Sequence, residues 1–234
     1  MRTHRLALAS GLVLLATAAL LASCAATRQP RGEVKPSGFL HDYSMLEAGA
    51  EGRARLRYVD TRVDFSRYQA VLVDSVSLWS GPGLAKLSAE EKRALVDHAY
   101  TALLTALARS FRIATVPARD TLRIRAAITE ATGSAVAPDV VATVIPQVRL
   151  IGSLSGLAAD SALTVGEASG EVEITDALTD QVVAAAVDRR VGQRSISGML
   201  SKWSDVEEAW NHWAEQLRKG LVEAGAGHAP AAKP

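Results

Sequence analysis

Apolar and polar positions along the chain change period in an order that alternates strands with helices. Residues 69–77 (QAVLVDSVS) are a short β-branched run, the pattern of a central strand. In the stretch LSAEEKRALVDHAYTALLTALARSF, Leu95, Ala99, Ala102 and Ala106 recur at helical spacing beside Val96, Leu103 and Leu107, and Ser88 with Glu91 forms a capping box at its start. Residues 111–116 (FRIATV) predict a strand ended by Pro117. Residues 121–128 (TLRIRAAI) alternate: Leu122, Ile124, Ala126 and Ile128 face one way, Arg123 and Arg125 the other. Residues 170–174 set Val172 and Ile174 against Glu171 and Glu173; DALTD then supplies a turn, and 181–190 (QVVAAAVDRR) the returning strand of a hairpin. A second capping box, Ser204 with Glu207, opens a helix whose face carries Val206, Ala209, Trp210, Trp213, Leu217 and Leu221. A sheet with one charged and one apolar face takes its helices on the apolar side. The expected fold is therefore α+β: a two-layer sandwich with a mixed or antiparallel sheet and two main helices on one face. Trp210 and Trp213 are expected as core anchors, and the charged face is expected to stay open.

The ends of the chain carry a different message. Arg2, His4 and Arg5 precede an uncharged run from Leu6 to Ser23, the layout of a secretory signal peptide rather than of a membrane-spanning helix. That run closes on Leu21-Ala22-Ser23-Cys24, which resembles the bacterial lipobox, and Cys24 is the only cysteine of the 234 residues. The resemblance implies acylation of Cys24 and removal of residues 1–23. Two or more acyl chains hold a protein stably to a membrane, where one does not. Ala25, in place of an aspartate after the cysteine, implies sorting to the periplasmic face of the outer membrane. Residues 24–36 read as a flexible tether, 37–222 as a single domain and 223–234 as a disordered tail. Loss of Arg2 and Arg5 turns a formal net charge of +1 into −1. That near neutrality argues against nucleic acid as a main partner.

A set of short stretches resembles one known family: 37–40 (SGFL) with Tyr43 and Leu46, then LRYVD, DFSRYQAVLVDSV, LRIRAAITEA, VIPQVRL, EVEITDALT, AAAVDRRVG and the Trp203…Trp213 ending. Together, over about residues 37–222, they resemble the bacterial envelope lipoproteins catalogued as domain of unknown function 3313. The resemblance implies a secreted, lipid-anchored domain and no established chemistry, so no catalytic residue is carried over.

The residues themselves predict no enzyme. GSLSG at 152–156 has Leu154 where a nucleophile elbow needs serine. His41, His98, His212 and His228 show no metal-ligand spacing, and neither a cofactor nor a metal is expected. Glu171 and Glu173 stand about 7 Å apart on one strand face; pairing with Arg123 or Arg125 across the sheet is the expected structural use of that acid pair. Two binding readings remain, with a hydrolase whose site is built from distant residues as the third alternative. One is a protein–protein surface, for an envelope partner or self-association, in the sparsely charged segment 139–157 with Val144, Ile145, Val148 and Leu150, or at an open sheet face or edge. The other is a small anionic ligand or anionic lipid held by Arg53, Arg55 and Arg57, which alternate as on a basic strand.

Overall fold

The computed structural model describes residues 27–30, 34–79, 81–134, 166–192 and 202–228. Nine strands occur among them: β1 (Thr27–Arg28), β2 (Glu47–Ala48), β3 (Leu56–Val59), β4 (Ala70–Val73), β5 (Ser77–Leu78), β6 (Arg112–Ile113), β7 (Thr121–Thr132), β8 (Glu167–Asp176) and β9 (Val182–Gly192). They form one sheet in the order β2-β3-β9-β8-β7-β4-β6, with β1 on β9 and β5 on β7. The pairings β7–β8–β9–β3 are antiparallel, whereas β4 runs parallel to both β6 and β7. A parallel return needs a long crossover. Here it consists of the short helix α1 (Pro82–Ala85) and the long helix α2 (Ala89–Leu107). The last helix, α3 (Ser204–Glu223), lies beside α2 and packs on β8 and β9. No helix among the described residues is long and apolar enough to cross a membrane.

The fold class is the one expected, a mixed sheet with two main helices on one face. Leu122, Ile124, Ala126 and Ile128 of β7 join Leu95, Ala99 and Leu103 of α2 and Val206, Ala209 and Trp210 of α3 in the main core. The first capping box forms: Ser88 Oγ accepts from Glu91 N at 3.1 Å, and Glu91 Oε2 accepts from Ser88 N at 2.9 Å. The second does not. Helix α3 starts one residue earlier than expected, after Trp203, with no side-chain cap. Buried Asp205 instead accepts from Ser134 Oγ at 2.7 Å and Gly166 N at 2.8 Å. The hairpin turn is held by Asp176 Oδ1, which accepts from the backbone of Leu178 and Thr179, and Asp180 takes the left-handed φ of 56° that aspartate tolerates.

Several boundaries differ from the sequence reading. The strand expected over 111–116 is only Arg112–Ile113, because β6 is a sheet edge with a single partner. Part of the stretch read as tether is seated on the sheet: Thr27 and Arg28 pair with Gly192 and Val191, and Arg190 donates to Thr27 Oγ1 at 2.8 Å and to its carbonyl at 2.6 Å. The chain after α3 also packs back, with Gly227 N on Tyr68 O at 2.7 Å and Ala226 buried. The charged face is not open. A strap over residues 34–46 lies across it, burying Phe39 and Leu40 against Ala127, Ala185 and Val187.

Candidate functional site

The two faces of the hairpin β8–β9 build two sites from alternate residues of the same strands. On the strap face, Glu171 and Glu173 are 2% and 1% exposed. Glu173 Oε1 accepts from Arg125 Nη1 at 2.6 Å and lies 2.7 Å from His41 Nδ1, and its Oε2 accepts from His41 N at 3.1 Å. Glu171 accepts from Ser37 N at 3.0 Å and from the Tyr43 hydroxyl at 2.5 Å. That hydroxyl in turn accepts from Gly38 N and Leu40 N at 2.9 and 3.2 Å, which closes the strap on itself where Gly38 takes a φ of +90°. The Arg125 guanidinium also lies over the Phe39 ring, 5.1 Å from its centroid. Each carboxylate thus has the several donors that a buried charge requires. Arg125 is the expected partner of Glu173. Arg123 is not: it pairs with Asp74 at 2.9 Å. Both carboxylates accept hydrogen bonds from strap residues, an arrangement that ties the strap to the sheet.

On the helix face the register places Arg57 of β3 opposite Ala186 of β9, and Ala186 opposite Val172 of β8. Directly opposed residues share a face, so this row looks toward α3. The strands offer it Gly170, Ala184 and Ala186, and a cavity of about 440 Å³ lies between these short residues and Trp210, Trp213, Leu217 and Leu221 of α3. That is within the range of about 300–1,000 Å³ of small-molecule sites. Gly170 permits the close approach on one side of it, since a Cβ there would stand 3.0 Å from Trp213 and 3.3 Å from Trp210. The two indoles meet edge to face, centroids 5.2 Å apart. The Trp213 ring N–H donates to Asp188 Oδ2 at 2.7 Å, whereas the Trp210 ring N–H is buried without an acceptor among the described residues.

The polar part of the lining comes from Arg53, Arg57, Asp188, His212, Gln216 and Glu223. Burial pushes the His212 imidazole below its ordinary value, with Arg190 adding to the effect and Asp188 opposing it. Asp188 is saturated: its Oδ1 accepts from Gln29 Nε2 at 2.6 Å and from Arg55 N at 3.2 Å. The three candidate arginines do not share a strand face, because β3 begins only at Leu56. Arg53 pairs with Glu223 at 2.5 Å, and Arg55 Nη1 donates to Pro30 O at 2.8 Å. Only Arg57 is on the strand, and it makes no ion pair among the described residues. Cys24 and the segment with Val144, Ile145, Val148 and Leu150 lie outside the described residues. The sequence reading missed both the strap and the cavity. A signal for the cavity existed in the alanines of AAAVDRR opposite a helix rich in tryptophan, but such a stripe also reads as plain close packing. Among the described residues, no group of three His, Cys, Asp or Glu side chains is placed to hold a metal.

Comparison with known proteins gives one family and several distant folds. The family model described as "Protein of unknown function (DUF3313)" matches residues 35–217. No curated protein matches. Among solved structures, a PelC dodecamer from Paraburkholderia phytofirmans is 14% identical, with 69% of this chain and 94% of that chain covered and a TM-score of 0.38. A Xanthomonas campestris protein of the family DUF330 is 14% identical, covering 68% and 89% with a TM-score of 0.39. A putative neuraminyllactose-binding hemagglutinin homologue from Helicobacter pylori is 7% identical, covering 70% and 83% with a TM-score of 0.30.

Proposed function

For a chain that belongs to the DUF3313 family, whose description carries no activity, we propose a function in binding rather than catalysis: an exported protein, lipid-anchored through Cys24 on the periplasmic face of the outer membrane, that receives an apolar ligand in the cavity beneath α3. The cavity is the observation that carries this reading. Its walls are chiefly alanine, glycine, valine, leucine and tryptophan, interrupted by the polar side chains named above. Burial of an apolar group there is favourable by about 25 cal/mol per Å² removed from water.

The anchor is supported by the basic start, the apolar run to Ser23 and the lipobox-like Leu21-Ala22-Ser23-Cys24. Acylation there would hold the cavity within reach of a membrane surface. Two experiments test the two halves. A Cys24→Ala chain should accumulate as the uncleaved precursor and take up no labelled palmitate; a cleaved, labelled product from that variant refutes the anchor. The neutral fluorophore N-phenyl-1-naphthylamine should bind the soluble mature chain saturably. Ala186→Trp, which fills the space, should abolish that binding while the circular dichroism melt stays cooperative. Equal binding by both proteins refutes the cavity as the site.

A further inference from the structure

The ligand reading can be carried to a chemical class. We propose that the cavity takes a single-chain amphiphile with an anionic head group, carboxylate or phosphate, bound by the guanidinium of Arg57. This rests on the cavity being the binding site.

The argument starts from charges. Arg57 lies in the cross-strand row Val172–Ala186–Arg57–Glu47, so its side chain leaves the sheet on the side of α3 and lines the cavity. Every carboxylate on the lining is already committed, Glu171 to Ser37 N and the Tyr43 hydroxyl. Glu223 is paired with Arg53. Asp188 accepts from Trp213, Gln29 and the backbone of Arg55. Glu47 stands directly across from Arg57 on β2, yet it is exposed and makes no ion pair with it. Arg57 is therefore a half-buried cation beside an apolar wall, without an ion pair among the described residues. A planar guanidinium in that position is matched by a carboxylate or phosphate in bidentate geometry. The pair gains strength from the low dielectric of the surrounding alanines and tryptophans.

The occupant thus matches two features of the site: an apolar body for the walls and an anion for Arg57. A purely hydrocarbon ligand leaves Arg57 unused. A small inorganic anion leaves the walls bare.

The test is displacement of N-phenyl-1-naphthylamine from the mature chain by dodecanoate, by 1-dodecanol and by dodecanoyl lysophosphatidate, each below its micellar range. Dodecanoate should displace the probe about tenfold more effectively than dodecanol, in line with a charge-assisted hydrogen bond. Arg57→Gln should remove that preference and leave dodecanol unchanged, while Arg57→Lys, which keeps the charge, should retain part of it. Added salt should weaken the acid and not the alcohol. Stronger displacement by lysophosphatidate than by dodecanoate identifies a phospholipid source, and the reverse a free acid; either supports the proposal. Equal displacement by acid and alcohol, or an acid preference untouched in Arg57→Gln, overturns the head-group assignment and leaves the cavity reading standing. Failure of the neutral probe to bind overturns both.

Discussion

The two faces of the β8–β9 hairpin solve opposite problems with the same strands. The face carrying Glu171 and Glu173 is polar in sequence and closed in structure, because the 34–46 strap brings backbone amides, Tyr43 and His41 onto the carboxylates. The face carrying Gly170, Val172, Ala184 and Ala186 is apolar in sequence, yet it is the one left incompletely filled. Side-chain polarity therefore does not decide which face is tight. A buried carboxylate is tolerated only with its donors in place, so the acidic face has a single arrangement. An apolar wall has no such directional requirement, so space can remain beside it.

The largest expected effect is on the strap side. Arg125→Ala leaves Glu173 buried with only His41, and breaking a buried pair in this way costs about 3–5 kcal/mol. Urea denaturation measures it. Combining it with Glu173→Leu should return much of the loss, because no orphaned charge remains. If Arg125→Ala costs no more than a surface substitution, Glu173 is not held as described. Next in size is a paired test with one residue type. Ala127 is fully buried under the strap, so Ala127→Leu overpacks that face and should cost about 1–3 kcal/mol. Ala186 borders the cavity, so Ala186→Leu should be stabilising by about 0.5–2 kcal/mol, as filling empty space usually is. Equal destabilisation by the two substitutions would erase the contrast between the faces.

The main elements were legible because their signals are local. The Ser88–Glu91 box and the Leu95, Ala99, Ala102, Ala106 spacing fix α2, and the alternation in TLRIRAAI and EVEI fixes β7 and β8. Cross-strand pairing of Arg125 with Glu173 follows from that alternation once β7 and β8 are set side by side. The strap was not legible, since 34–46 has neither helical nor strand period, and its role appears only when Tyr43 and Ser37 reach residues more than a hundred positions away. The arginines misled for a related reason. Alternation in RARLR reads as one strand, but Gly49 and Gly52 bend the chain before Leu56, and Arg53 is drawn to the end of α3 instead. The cavity is a difference in volume between facing residues, which no pattern along one strand records.

The smallest expected effect is in pH, and it separates the faces again. His212 borders the cavity and its pKa is lowered chiefly by burial, with Arg190 and Lys219 acting in the same direction and Asp188 against them. Its folded value lies below the ordinary one of about 6.5, so the unfolded chain binds the proton more readily. The stability it contributes is complete above about pH 6.5 and is lost as pH falls through the folded value. The urea midpoint should therefore decline modestly between pH 7 and pH 5, and His212→Gln should flatten that part of the profile. A second decline belongs to more acid conditions. There Glu91, held at about 2 by Lys202 and the Ser88 amide, and Asp60, held at about 2 by Arg62, take up protons that the unfolded chain accepts nearer pH 4. If His212→Gln leaves the near-neutral slope intact, the titrating group is elsewhere. A flattened slope would make the cavity the part of the domain that responds first to mild acid, ahead of the capping box of α2 and the turn at Asp60.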